Sequence, residues 1–135
     1  MFPYNLYGGQ QDNSTIKIAS IGSRGGISER DWSASAGGES AFLAFDPDDP
    51  SIVMGGSYLG SINIFDTKAN ARKKVMIEPI NYIGRASRDM KYRFNWNAPI
   101  VWSQHEQNTF YHAAQHLFKT NDQGKSWKIV SPDLT

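Results

Sequence analysis

The sequence contains no cysteine, which excludes disulfides, thiolate metal sites and cysteine nucleophiles. It has no apolar run long enough to cross a bilayer, so no membrane span is expected. An excess of charge of either sign is also missing, with 14 Lys or Arg against 13 Asp or Glu. A net charge of +1 gives no overall field to draw nucleic acid or an anionic membrane. Helical periodicity is missing too, since no long segment places apolar residues at i, i+3, i+4 and i+7. The first residues, Met1-Phe2-Pro3-Tyr4-Asn5, lack a basic stretch followed by an apolar core, so no secretory signal is expected there. The compartment stays open, because exported bacterial proteins also often lack cysteine.

What the chain does hold is 12 glycines and 13% aromatic residues, a mixture suited to short strands and tight turns. Alternating apolar patterns bounded by Gly, Asp, Asn or Pro predict strands over residues 4–9 and 15–21, joined by a turn at 10–14. Residues 22–40, rich in Gly and Ser, are expected to form an irregular loop containing Trp32. Four strands in hairpin order are predicted over 41–45, 51–55, 61–65 and 73–77, with Pro47 and Pro50 in a turn where a missing N–H costs nothing. Residues 78–97 form a connector in which Pro79 and Gly84 leave room for no more than a short helical turn. Four further strands are expected over 99–103, 109–113, 116–120 and 126–130.

The two four-strand groups resemble one another. Phe45-Asp46-Pro47-Asp48-Asp49-Pro50-Ser51 can be laid on Trp102-Ser103-Gln104-His105-Glu106-Gln107-Asn108-Thr109, at an offset of about 57 residues, near the longer propeller repeat periods. Four antiparallel strands per repeat is the pattern of a propeller blade. The expected fold is therefore all-β: a partial β-propeller of about two four-stranded antiparallel blades plus strands of a third. Residues 1–40 are the end of a preceding blade and its loop, 41–77 one blade, 78–97 a connector, and 98–135 a second blade.

The sharpest local motif is Thr120-Asn121-Asp122-Gln123-Gly124-Lys125-Ser126-Trp127, which fits the Asp-box pattern Ser/Thr-x-Asp-x-Gly-x-Ser/Thr-Trp. A carboxylate at a hairpin tip can accept turn N–H groups, a glycine can supply positive φ, and a tryptophan can pack between sheets. Thr120, Asp122, Gly124, Ser126 and Trp127 are accordingly read as a structural set, which specifies a hairpin and not a reaction.

With Tyr7-Gly8-Gly9-Gln10-Gln11-Asp12-Asn13, Phe45-Asp46-Pro47-Asp48-Asp49-Pro50, Arg93-Phe94-Asn95-Trp96-Asn97-Ala98-Pro99-Ile100 and Ser131-Pro132-Asp133-Leu134-Thr135, the chain resembles bacterial BNR (Asp-box) repeat β-propeller proteins. These are similar to sortilin-type N-terminal propellers and to xyloglucanase-like glycosyl hydrolases. The resemblance implies a longer, often exported parent. It also implies a binding or scaffolding module for protein, peptide or glycan, with a propeller-type glycoside hydrolase acting on β-glucan or xyloglucan as the alternative. The chain departs from the pattern at Gly37-Gly38-Glu39-Ser40, where Gly-Gly-Asp-Gly is common, and at Asp66-Thr67-Lys68-Ala69-Asn70-Ala71, which lacks the Gly and Trp of a second Asp box.

Two-carboxylate sugar hydrolysis needs acids about 5–5.5 Å or about 6.5–9.5 Å apart. The candidate catalytic residues are Asp12, Glu39 and Asp46, with Glu106 a further acid. Asp46, Asp48, Asp49 and Asp12 also suit turns. Arg93, Asn95, Trp96 and Asn97 are the candidate ligand-binding residues, with Tyr82, Tyr92 and Trp102 nearby, because rings stack on sugars and amides donate and accept. The tryptophans can equally fill space between blades, and Arg93 and Asn95 can bind backbone at a blade boundary.

His105, His112 and His116 have no metal-ligand spacing on strands, so no metal site is expected. No cofactor is expected, and Gly22-Ser23-Arg24-Gly25-Gly26 lacks the Gly-Lys-Ser/Thr of a phosphate loop. Asn13-Ser14-Thr15 fits a glycosylation sequon. Residues 68–93 hold eight Lys or Arg against two acids, without any nucleic-acid-binding motif, and are read as a solvated loop or a partner surface. The expected partners are further blades or other copies of the chain, with a glycan or peptide as ligand and nucleic acid excluded.

Overall fold

A computed structural model describes residues 3–39, 42–46 and 48–135. Ala41, predicted to open a strand, Pro47 of the predicted turn and Ser40 of the Gly-Gly-Glu-Ser quartet lie outside the described residues, as do Met1 and Phe2. The chain is all-β, with three antiparallel sheets. The first sheet holds β1 (Asn5–Gly9), β2 (Thr15–Ala19) and β3 (Trp32–Ala34). The middle sheet is a meander of β4 (Leu43–Phe45), β5 (Ile52–Gly56), β6 (Ile62–Asp66) and β7 (Ala71–Lys74). The last sheet repeats that order with β8 (Ile100–Trp102), β9 (Phe110–Ala113), β10 (Leu117–Thr120) and β11 (Lys128–Ile129). Helix is limited, among the described residues, to two single 3-10 turns at Glu29–Asp31 and Ser87–Asp89. Among the described residues no helix is long and apolar enough to cross a membrane.

Several expectations are corrected. Residues 22–40 are not wholly irregular, because Trp32 and Ala34 pair with Ile18 and Ile16 of β2. The segment is launched by Asp31, whose carboxylate accepts the Ser28 N–H at 2.8 Å and the Ser23 N–H at 3.2 Å. The strand predicted over 73–77 lies earlier, at Ala71–Lys74. There Asp66 accepts the Lys68 and Ala69 N–H groups at 2.9 and 3.0 Å, and Asn70 takes φ +51°, so the turn closes tightly and the strand starts at once. The strands predicted over 99–103 and 126–130 shrink to Ile100–Trp102 and Lys128–Ile129.

Side-chain alternation gives the middle sheet two buried faces. Val53 and Phe65, with Leu43 and Phe45, face Ala36 and Tyr7, and the Tyr7 and Phe45 rings meet at 4.5 Å. Ala44, Met54, Ile62 and Val75 face Ile100, Trp102 and Phe110, where Trp102 and Phe110 cross edge-on at 3.9 Å. Each such fully buried large side chain contributes about 1.5–3 kcal/mol. A third cluster of Phe94, Ala98 and Phe118 ties the connector to the last sheet.

Among the described residues nothing covers the far face of the first sheet. Register aligns Leu6, Ile18 and Trp32 in one row, with Leu6 and Trp32 about half exposed. A contiguous apolar row on a sheet face favours association.

The path from the first sheet to the middle one sets the geometry of the site. Residues 35–38 run against β5. The Gly38 N–H reaches the Gly56 carbonyl at 2.9 Å, and Asn63 Oδ1 accepts the Gly37 N–H at 3.2 Å. This approach is so close that a Cβ on Gly55 would lie 2.4 Å from the Ala36 carbonyl carbon. Glycine there lets Glu39 emerge beside the β5–β6 hairpin.

Candidate functional site

Four separate segments meet at one end of the sheets. The β1–β2 hairpin brings Gln11 and Asp12. The loop after β3 brings Glu39, the β5–β6 hairpin brings Tyr58, and the connector brings Trp96. Each is placed by a local device. The Gln10 carbonyl accepts the Asn13 N–H at 3.0 Å, closing a turn that holds Asp12 at φ +57°. In the β5–β6 hairpin, Leu59 and Gly60 have φ +55° and +77° and the Ser61 N–H returns to the Tyr58 carbonyl at 3.1 Å, a two-residue turn of the primed type that suits strand twist. Trp96 follows Phe94, which is buried against the last sheet.

Glu39 is the hub. One of its oxygens accepts the Asp12 N–H and, at 3.2 Å, the Gln11 side-chain amide. The same carboxylate lies beside the Tyr58 phenol and raises it above its ordinary value, first as an acceptor and then as a charge, with burial and the charge of Asp12 adding to the effect. The Gln11 amide nitrogen lies 3.2 Å from an oxygen of Asp12 as well. The two carboxylates are thus bridged by one amide, and these oxygens are separated by at most twice that distance. Above them Tyr58 and Trp96 stack with centroids 4.4 Å apart, tilted by 36°, and Trp96 is 47% exposed. Tyr58 also forms a wall of a cleft of about 370 Å³ lined by Lys74, Met76, Ile80 and Tyr82.

The structure brings together Asp12, Glu39 and Trp96 of the residues singled out from the sequence. Asn95 and Asn97 flank Trp96 and are exposed. Arg93 is engaged elsewhere, in an ion pair with Asp133 at 3.1 Å that fastens the last residues to the connector. Asp46 stands at the other end of the middle sheet, where its Oδ1 accepts the Asp48 and Asp49 N–H groups at 2.8 and 3.1 Å and shapes the turn. Glu106 pairs with Lys119 at 2.5 Å. Tyr82, Tyr92 and Trp102 serve packing. Tyr82 donates to Glu78 at 2.7 Å, Tyr92 crosses Phe118 at 4.8 Å, and Trp102 lies in the core. No three His, Asp or Glu groups converge as a metal-ligand set among the described residues.

The Asp-box residues form one network. Asp122 accepts the Ser126 N–H at 2.9 Å and its hydroxyl at 2.7 Å, and Thr120 donates to it at 2.7 Å. These donors hold the Asp122 carboxyl down to about 2. The Trp127 indole N–H reaches the Val75 carbonyl at 2.8 Å, tying the hairpin to the end of the middle sheet.

Sequence reasoning missed Gln11 and Tyr58. The available signal was an aromatic residue inside a Gly-bounded hairpin tip, Gly56-Ser57-Tyr58-Leu59-Gly60, where a ring has no core to fill. Comparison with protein-family models and with curated proteins finds no match to this chain.

Proposed function

We propose that the chain is a β-propeller segment acting as a binding module, and that it takes a glycan across the Trp96–Tyr58 platform. The observation that carries this reading is the half-exposed Trp96 ring stacked on Tyr58, beside the Glu39 carboxylate. A sugar ring offers an apolar face to stack and hydroxyls to bond. The platform supplies aromatic faces, and Gln11, Glu39, Asn95 and Asn97 supply donors and acceptors around it. The propeller assignment draws support from successive four-strand meanders packed face to face and from the Asp-box hairpin.

Calorimetric titration with xyloglucan and cello-oligosaccharides tests the module. Saturable binding is expected, and Trp96→Ala is expected to weaken it about tenfold, the equivalent of a lost ring contact of about 1.4 kcal/mol, with circular dichroism verifying that the variant is folded. Equal affinity of the two proteins, or no saturable binding of either sugar, defeats the platform reading.

One observation favours a second reading. The Asp12 and Glu39 oxygens bridged by Gln11 lie no more than twice 3.2 Å apart, a limit that admits the about 5–5.5 Å of retaining glycosidases. Release of reducing ends from xyloglucan, lost in both Asp12→Asn and Glu39→Gln, establishes hydrolysis; binding without release leaves the module.

Three sheets do not close a ring, and the uncovered Leu6–Ile18–Trp32 row is the face on which a further sheet, from neighbouring sequence or another copy, would pack. Sedimentation of this chain alone is expected to show self-association that Leu6→Lys with Trp32→Glu abolishes. A wild-type chain that stays monomeric as concentration rises removes that face from the assembly.

A further inference from the structure

The outer strand of the middle sheet, β7, pairs with β6 on one side, and its other edge meets no strand among the described residues. All four of its residues, Ala71-Arg72-Lys73-Lys74, are exposed. Arg72 lies over the Phe65 ring at 4.5 Å, whereas Lys73 and Lys74 make no ion pair among the described residues. Register aligns Arg72 with Phe65 and Lys74 with Asn63 on one face of the sheet, and Lys73 with Ile64 on the other. Cations therefore flank both faces of a single free edge in a chain whose net charge is only +1. At the Lys74 end the strand borders the cleft of about 370 Å³, whose apolar walls come from Met76, Ile80 and Ile83.

We infer that this edge captures an extended acidic peptide, which adds to β7 as a fifth strand and seats one apolar side chain in the cleft. An unpaired edge is a template for strand addition: main-chain bonds supply affinity and side-chain pockets supply selectivity. Lysines on an edge ordinarily guard against such pairing. Here they exclude one partner and select another. Two copies of β7 side by side would set cation against cation, which disfavours self-pairing. A strand carrying Glu or Asp at alternate positions meets Arg72 and Lys74 on one face or Lys73 on the other. The cleft then fixes register, because one side chain of the added strand must coincide with it.

This edge is distinct from the ring platform, with Tyr58 the one residue bordering both, so Lys73→Glu is expected to leave glycan binding unchanged while it weakens peptide binding. The probe is a fluorescein-labelled peptide of alternating glutamate and valine ending in leucine, followed by anisotropy against the full chain. Its comparators are the lysine-for-glutamate peptide, the same acidic peptide N-methylated at alternate amides, and a single-stranded oligonucleotide of equal charge. Saturable binding of the acidic peptide is expected, weakened about tenfold or more by Lys73→Glu with Lys74→Glu, by Lys73→Gln with Lys74→Gln to a lesser degree, and by N-methylation. Both lysines are exposed, so these variants keep the fold, which circular dichroism verifies. Undiminished binding of the N-methylated peptide overturns strand addition. Equal affinity for the oligonucleotide makes the edge a general polyanion surface and overturns the proposal, as does unchanged binding by the charge-reversed variant.

Discussion

Gly124→Ala is expected to lower the unfolding free energy by about 3 kcal/mol. Two independent costs combine. Gly124 holds φ +78°, a left-handed conformation in which an L side chain costs about 1–2 kcal/mol. The new Cβ would also lie 2.6 Å from Val75 Cβ, a contact that cannot exist without movement of a buried residue. Overpacking of that kind costs about 1–3 kcal/mol. Val75 cannot easily retreat, because its carbonyl accepts the Trp127 indole and its N–H reaches the Ile62 carbonyl at 3.2 Å. Against a total stability of about 5–15 kcal/mol for ordinary domains, the loss is large. Urea unfolding followed by tryptophan fluorescence measures it. Val75→Gly provides the internal control, since it removes the Cβ that the new methyl would meet, so that in the double variant the steric part of the Gly124→Ala cost vanishes and the conformational part stays. Strict additivity of the two substitutions would show that the hairpin does not press on Val75. A Gly124→Ala chain within about 0.5 kcal/mol of wild type would remove the hairpin as a fastening between the two meanders.

What the sequence disclosed and what it hid divides by distance along the chain. The Asp-box network spans seven residues, Thr120 to Ser126, and its bonds are local, so residue type and spacing sufficed to read it. The meander strands were likewise legible from alternation and turn residues, with errors where a turn closed early, as at Asn70. β3 was hidden because nothing in its three residues marks a strand; only the Ile16 and Ile18 partners in β2 make it one. The site was half visible. Asp12, Glu39 and Trp96 were each distinguishable as chemistry, yet so were Asp46 and Arg93, and residue type could not separate them. Separation came from partners far off in sequence: Glu39 bonds 27 residues back to Asp12, whereas the Asp46 carboxylate, among the described residues, bonds within its own turn. Arg93 looked like a ligand contact but spans 40 residues to Asp133.

Stability is expected to fall by about 3 kcal/mol as pH drops from ~7.5 to ~4, through one histidine. His112 is 1% exposed, in the row of the last sheet that also holds Ile100 and Phe118. Its ring stacks on Phe94 at 4.9 Å, and Nδ1 lies 2.7 Å from the Pro99 carbonyl. That contact assigns the proton of the neutral ring to Nδ1, leaving Nε2 buried without a partner of hydrogen-bonding geometry among the described residues. Charging the ring would place a cation in an apolar layer, and burial pushes its pKa from 6.5 down to about 4 against the opposing pull of the Pro99 and Gly60 backbone. The unfolded chain takes up the proton near 6.5, and the folded chain does so only near 4. The stability contributed by neutral His112 is therefore complete above the higher value and is lost as pH falls through the interval, at about 1.36 kcal/mol per unit. Asp49, Asp122 and Asp133, held down to about 2 by their hydrogen bonds, lose their contributions only below the ordinary aspartate value of 3.8, so the two effects occupy separate pH windows. His112→Asn keeps an N–H for Pro99 and removes the titration. Urea midpoints measured at intervals between pH ~7 and ~4.5 should slope for wild type and lie flat for the variant. Parallel slopes would place the titrating group elsewhere and show that the His112 ring is not sealed between the sheets.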